Sequence, residues 1–433
     1  MASSLNLQRN SEVYMSTVDI TASGIDATDI TSTNTWRVEV LAGYAASQSA
    51  ATQDITSLES GLSPDRSTQR FNTAINPTEW SFQTYLRPTG VRATAAGTGA
   101  DVSASDATYL TGNSQPLADW FLWQALMSST SYAGGVGASS TLQSAWQNDG
   151  QFDLAVRVAG SNVQAHTSNF ARATEYNMYI KMDNVVYQVK KATVNEASID
   201  AAIDSIATTS WSGFGTDFVE LTSTDRDEII SVIGGVYNNG VSVTGTSYSV
   251  ANTAAPAYHS YASYDVDGTT STSAFIQNRL SSIEVTHTPA GGSADTYTFP
   301  VTGLGFTYSN ALTYLTPEEL AALNSPIGQF TGSRTITGNF TAYLRAGTDE
   351  SAQFLRNIVN DTRTSIAQAS TANLKIGGAS APSVAIYMPA VQFNFPTHTV
   401  EDIIGISVEF LAQEPTASKG TGSELTMFVS AAS

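Results

Sequence analysis

Residues 79–88 read EWSFQTYLRP and residues 338–346 read GNFTAYLRA. Phe82 matches Phe340, and Tyr85-Leu86-Arg87 matches Tyr343-Leu344-Arg345, all at one offset of 258. Both runs alternate apolar and polar residues and leave through an arginine. Alternation of period two puts one set of side chains on each face of a strand, so both read as strands. A chain that writes one strand twice invites a search for the rest of the copy.

The match extends into an ordered series. Val38-Glu39-Val40 pairs with Ile283-Glu284-Val285 at offset 245, and Phe121-Leu122 pairs with Phe354-Leu355 at offset 233. YIKMDNVVYQVKKATV (179–194) pairs with AIYMPAVQFNFPTHTV (385–400) at a constant 206. The offsets shrink from 258 to 233 to 206, so the first copy carries about 25 extra residues twice. Those extras fall in the Gly/Ser-rich stretches 90–114 and 131–150, which read as long loops. Chance matching between two Ser/Thr-rich β halves is the alternative to duplication.

Strand-like runs rich in β-branched and aromatic residues dominate the remainder. Helical spacing is predicted over 116–129, behind Pro116, and over 349–362, behind Asp349 and Glu350. Ile199, Ile203 and Ile206 predict a third helix over 196–207, and residues 316–323 read as a short helix start. The fold class expected is mainly β with an α+β flavour. It would comprise two tandem β-sandwich modules, each flanked by a helix, over 1–225 and 281–433, with a connecting segment or arm at 226–280.

Charge and composition narrow the function. The 433 residues carry 19 Lys and Arg against 38 Asp and Glu, a formal charge of -19, and only 13% are charged. Binding to a phosphate backbone needs clustered cations, so this balance argues against a nucleic-acid binder and suits a surface that repels one. The absence of cysteine excludes disulfides and thiolate metal sites and suits synthesis in a reducing cytosol. The first twenty residues have no apolar core of signal-peptide length, and no apolar run approaches about 18 residues, so neither secretion nor a membrane helix is expected.

No catalytic constellation emerges. His166, His259, His287 and His398 are far apart, none at a metal-ligand spacing, and read as structural. DVDG (265–268) lacks the acid that a calcium loop needs at its twelfth position and reads as a turn. GGVGAS (134–139) and SGFGTD (212–217) lack a P-loop lysine. Glu318 and Glu319 read as a helix-dipole complement, and the sequon at 360–362 as silent. Arg87 and Arg345 are the informative charges, because they recur at matching places among few cations. Each either caps a strand exit with a salt bridge or contacts the neighbouring module.

NLQRNSEVYMSTV, INPTEWSFQTYLRP with TITGNFTAYLRAG, TSWSGFGTDFVEL and YMPAVQFNFPTHTVEDIIGISVEFLA resemble bacteriophage tail tube proteins. The resemblance covers both halves and its motifs are structural. It implies β-sandwich modules that assemble into rings whose inner strands form one β-barrel around a lumen for DNA. It also implies a structural virion protein, made in the host cytoplasm and located in the tail, with no enzymatic activity and no cofactor. Its partners would be further copies of itself, as a pseudo-hexameric trimer or a hexamer stacked into a tube, with sheath, tape-measure, terminator and baseplate proteins as further neighbours. DNA would pass without specific binding, and no membrane is involved.

Three such chains would bring 3 × (-19) = -57 formal charges to a ring, and closing the barrel across subunits would satisfy the edge strands. The candidates to line the lumen are TEWSFQTYLR, TITGNFTAYLR, VVYQVKKATV and AVQFNFPTHTV. The alternative function is a phage tail or surface protein that binds or processes glycans. That reading needs exposed aromatic platforms or paired carboxylates in a cleft, and periodicity places most of the six tryptophans in element cores.

Overall fold

The computed structural model describes residues 11–25, 29–30, 35–41, 43–55, 69–87, 119–127, 154–157, 174–182, 185–222, 241–244, 247–250, 275–289, 292–320, 324–364, 369–377, 383–399, 403–414 and 424–430. The sequence loops 90–114 and 131–150, the DVDG turn, GGVGAS, His166 and His259 lie outside them.

The chain opens with β1 (Ser11–Ser16), β2 (Thr35–Val38), β3 (Ala45–Ser47), β4 (Ala50–Ile55), β5 (Gln69–Ile75) and β6 (Thr78–Tyr85). Helix α1 (Trp120–Met127) follows, then β7 (Leu154–Arg157), β8 (Tyr176–Met182), β9 (Val185–Ala202), β10 (Thr208–Gly215) and β11 (Asp217–Glu220). A small hairpin, β12 (Val241–Thr244) and β13 (Ser247–Val250), precedes the second half. That half holds β14 (Ser282–Thr288), β15 (Asp295–Pro300), β16 (Gly303–Ser309), β17 (Thr313–Leu315), β18 (Gly328–Phe330) and β19 (Thr335–Tyr343). After helix α2 (Ser351–Thr364) come β20 (Ala369–Ile376), β21 (Ser383–Phe393), β22 (Thr397–Thr399), β23 (Gly405–Ala412) and β24 (Thr426–Ser430). The chain is mainly β, as expected.

One long strand organises the first half. The N-terminal part of β9 pairs with β8 and β11, and β8 carries β1 and then β2 on its other side. Its C-terminal part pairs with β10, which carries β6 and then β3. The second half runs the same scheme. β21 pairs with β20 and β24, and β20 carries β14 and β15. The end of β21 and its continuation β22 pair with β23, which carries β19 and β16.

The registers agree as well as the order. Thr78↔Gly215 through Tyr85↔Thr208 is an unbroken ladder, and so is Ile336↔Ala412 through Tyr343↔Gly405. Irregularities recur at matching places. β8 slips against β9 between Tyr176 and Met178, and β20 against β21 between Ser370 and Ala372. β10 slips against β9 between Ser212 and Gly213, and β23 slips by one residue between Phe393↔Phe410 and Thr397↔Ser407.

These pairings revise parts of the sequence alignment. Met178↔Val189 corresponds to Ala372↔Met388, which the constant offset of 206 does not give. β8 and β9 meet as a hairpin at Met182↔Val185, whereas β21 runs on through Pro389 as one strand. Val38 belongs to the strand flanking β1, so its counterpart lies in β15, and Ile283 corresponds to Val13.

The helix expected over 196–207 is also overturned. Residues Glu196–Ala202 are strand, because Ala197, Ile199 and Ala201 alternate inward and two neighbours supply the backbone partners. Residues 316–320 hold no helix either.

Helix α1 is apolar nearly all round and buried, with Phe121, Leu122, Trp123 and Leu126 at 0–1% exposure. Trp123 meets Trp211 of β10 edge-on, with centroids 4.9 Å apart. Helix α2 is amphipathic and sets Phe354 against Tyr297 of β15 at 5.4 Å, Phe393 of β21 at 5.3 Å and Phe340 of β19 at 6.4 Å. Such aromatic pairs add about 0.5–1.5 kcal/mol each beyond their buried area.

Candidate functional site: a smooth sheet face with two open edges

The two halves are joined by strand pairing. Seven consecutive pairs, Gly303↔Ala202 through Ser309↔Glu196, bind β16 to β9. One sheet therefore runs β3-β6-β10-β9-β16-β19-β23 and ends on β21 with β22. Side chains lock the seam. Asn310 Nδ2 donates to the Leu126 carbonyl at 2.9 Å, Leu312 N–H donates to Asn195 Oδ1 at 2.8 Å, and the Tyr314 hydroxyl donates to the Lys191 carbonyl at 3.1 Å. A second link pairs β7 with β24.

One face of this sheet packs on the aromatic core, and the other presents mostly polar residues in continuous rungs. The first rung is Gln83-Ser210-Ser198-Thr307-Thr337-Leu411-Gln392. Its neighbour is Tyr85-Thr208-Asp200-Gly305-Asn339-Glu409. Neighbours on a rung hydrogen-bond to one another. Gln83 Nε2 donates to Ser210 Oγ at 3.0 Å, the Ser198 and Thr307 hydroxyls lie 3.3 Å apart, and Asn394 Nδ2 donates to Glu409 Oε2 at 3.3 Å. Glycine at 305 leaves room for the Asn339 amide, which would crowd a Cβ there at 2.9 Å.

Charge on this face has one sign. Glu79, Glu196, Asp200 and Glu409 lie on it, and none of β3, β6, β10, β16, β19, β22, β23 or the Glu196–Ala202 part of β9 contains Lys or Arg. The hydroxyls and amides offer short, mutually satisfied groups instead of long flexible cations. Such a surface can lie beside a polyanion in water without holding it.

Among the four strands singled out from sequence, β6 and β19 lie wholly in this sheet. The VVYQVKKATV stretch lies in the part of β9 that pairs with β8, and the smooth sheet takes up the residues after it. AVQFNFPTHTV brings Gln392 and β22 to the sheet edge.

Arg87 is half-buried, ion-paired with Glu39, and stacked 5.4 Å above the Phe275 ring, in the segment leading into the second half. Arg345 is exposed, and its backbone N–H donates to Ser351 Oγ at 2.8 Å. The two arginines lie on separate halves and do not meet.

The remaining motifs fall into structural positions. His287 is sealed at 0% exposure, with Nδ1 2.7 Å from Ser370 Oγ and Nε2 3.8 Å from Asp361 Oδ2. Burial pushes its pKa below the usual histidine value. His287 and Ser370 lie on neighbouring strands and Asp361 on α2, all three buried and out of reach of a substrate. His398 lies in β22. SGFGTD spans β10 and β11, where Gly213 makes room for Trp80. Glu319 N–H donates to Asn324 Oδ1 at 3.0 Å, and the sequon lies in α2. Trp80, Trp123 and Trp211 are 0–2% exposed and offer no aromatic platform. Among the described residues no group of three His, Asp or Glu could hold a metal ion, and no helix is long and apolar enough to cross a membrane.

Sequence reasoning finds β6, β16, β19 and β23 of the smooth face but reads the 196–202 part of β9 as a helix and so misses the seam. Its signal is the alternation of Ala197, Ile199 and Ala201 opposite Leu304, Phe306 and Tyr308, too weak on the alanine side to point to a partner.

No family model matches the chain. It is 25% identical over 414 residues to "Tail tube protein pb6" of Escherichia phage T5, covering 94% of this chain and 73% of that one. A similarity reaching across both halves supports recognition of this chain as a phage major tail tube protein.

Proposed function

We propose that the chain is the structural subunit of a phage tail tube, a virion component built of two tandem modules at 1–225 and 281–433. Three copies close into a pseudo-six-fold ring, and rings stack into the conduit through which DNA leaves. The repeated pairing scheme supports the two modules, and the similarity to a tail tube protein supports the role.

The observation that carries the reading is the pair of open edges on a face fit for a lumen. β3 flanks β6 as β16 flanks β19, with Ser47↔Glu79 corresponding to Thr307↔Thr337. β22 flanks β23 as the end of β9 flanks β10, with Thr397↔Ser407 corresponding to Ser198↔Ser210. Inside the chain those two kinds of edge are already joined, β9 to β16. Joining β22 of one copy to β3 of the next repeats the same contact and removes both open edges of the smooth sheet.

Each chain supplies eight strands, counting β21 and β22 as one, so three chains give 3 × 8 = 24. Barrels of about 16–18 strands already enclose an aqueous channel, so 24 leave ample room. The smooth face, bearing carboxylates and hydroxyls, lines it.

Native mass spectrometry with end-on electron micrographs of the purified protein tests this. Rings of three chains with six similar lobes are expected. Rings of six chains would keep the tube and remove the pseudo-hexamer, and a monomer at every salt concentration would end the tube reading.

A further inference from the structure

β6 and β19 leave the smooth sheet in the same way. Leu86 N–H donates to the Ala207 carbonyl at 2.9 Å, and Leu344 N–H donates to the Ile404 carbonyl at 2.9 Å. Both exits therefore rest on the turn that follows the long strand, but they differ in what covers them.

In the first half the cover is residues 275–280. The Phe275 ring meets Tyr85 edge-on at 5.2 Å and lies under Arg87. Ala207 N–H donates to the Ile276 carbonyl at 3.0 Å, Ile206 bridges to Gln277, and Asn278 N–H donates to the Ser205 carbonyl at 3.1 Å. Leu86 and Ala207 are fully buried. At the matching places of the second half, Tyr343 is 46% exposed, Ile404 42% and Ile403 61%, and Arg345 is exposed. Their counterparts under the cover are Tyr85, Arg87, Ile206 and Ala207, of which Ile206 itself stays 41% exposed, so the contrast lies at Tyr343 and Ile404.

The identity of the missing cover follows from where the existing one comes from. Residues 275–280 lead directly into β14, the counterpart of β1. Within the chain, then, the leader of the second half lies on the first half. Applied once more, the leader of the first half lies on the second half of a neighbouring copy. That leader reads Leu5-Asn6-Leu7-Gln8-Arg9-Asn10, and at the offset of 270 that sets Val13 on Ile283, Leu5 falls at the place of Phe275 and Arg9 at that of Arg279.

We infer that residues 5–10 of one copy seat on Tyr343, Arg345, Ile403 and Ile404 of the next, clasping neighbouring subunits beside their paired edges. The occupant is a second copy of this chain, and the inference rests on the ring reading above. Arg345 then takes up over the incoming leader the place that Arg87 takes over Phe275.

The chain has no cysteine, so an engineered pair reports without interference. Asn6→Cys with Ile404→Cys places thiols at the counterparts of Ile276 and Ala207, which are hydrogen-bonded neighbours within disulfide reach. Oxidation of assembled full-length protein should give a ladder of linked dimers and trimers. Mixing the two single variants, differently tagged, should link unlike tags.

Rings that form without linking would overturn the clasp and leave the ring reading standing. A link closed inside a monomer would show the leader folded onto its own chain and overturn the clasp. Absence of both rings and links would remove both readings. As a second measurement, Arg345→Ala should raise the concentration for half-assembly about tenfold or more with the monomer melt unchanged. Arg87→Ala should lower the monomer melt. Equal assembly by Arg345→Ala and the parent protein would count against the clasp.

Discussion

Trp80 and Gly213 face each other across β6 and β10, and at the matching rung of the second half the large and small partners have traded strands, as Gly338 and Phe410. In each case a Cβ on the glycine would run into the opposing ring. The exchange conserves volume at one rung while reversing its polarity, which a packed core tolerates far better than a net change.

Gly338→Ala should therefore destabilise the chain by about 1–3 kcal/mol through overpacking. Adding Phe410→Leu should recover part of the loss, because the two sites share the space and do not act independently. Denaturant midpoints of the single and double variants measure the coupling. Strict additivity would mean that the ring is not what the methyl meets.

Asp119 sets a pH dependence. It is 3% exposed at the start of α1, where Oδ2 accepts from Thr84 Oγ1 at 2.8 Å and Oδ1 has no hydrogen-bond partner. Burial pushes its pKa up to about 6, against a hydrogen bond from Thr84 that favours the anion. The folded value lies above the unfolded one, so the group stabilises the fold relative to higher pH below about 4. That advantage is lost as pH rises through about 4 to 6, and the slope is flat above. The loss is on the order of 3 kcal/mol. Asp119→Asn should erase it, so the stability difference between parent and variant should change sharply between pH 4 and 6. A difference independent of pH would mean that Asp119 titrates normally.

How far these features were legible depends on what kind of pattern encodes them. TEWSFQTY and TITGNFTAY announce strands, because Trp80 and Phe82, and Ile336 and Phe340, stand at inward positions among alternating polar residues. EASIDAA does not, because its inward set is Ala197, Ile199 and Ala201. Alanine carries little periodic signal, so the three isoleucines at 199, 203 and 206 mimic helical spacing across a strand and its turn. The misalignment over 180–194 has a related cause. Period-two runs match one another in several registers, and only the backbone partners at a bulge fix the true one. The smooth face was hidden for the opposite reason, since Ser, Thr and Gly are compatible with loops as readily as with a fully paired sheet.

The charge of that face should govern its indifference to DNA. Asp200 and Glu409 lie on one rung, separated by Gly305 and Asn339. Assemblies of the parent protein should retain no duplex DNA at low salt. Asp200→Lys with Glu409→Lys should create retention that weakens as salt rises, with a log–log slope of about −0.9 for each phosphate neutralised. Filter retention of labelled DNA across a salt series measures it. Equal retention by parent and variant would place the face away from the lumen.

The edge-to-edge contact fixes a register. Inside the chain Ser198 faces Thr307, their hydroxyls 3.3 Å apart on the smooth face. Thr397 stands to β23 as Ser198 stands to β10, and Ser47 stands to β6 as Thr307 stands to β19. Thr397 of one copy should therefore face Ser47 of the next. Thr397→Cys with Ser47→Cys should link neighbouring chains in assembled rings. Thr397→Cys with Gln48→Cys should not, because a shift of one residue turns the side chain to the opposite face. Linking through position 48 instead would mean a slipped register, and intact rings that link through neither would mean that β22 and β3 are not joined.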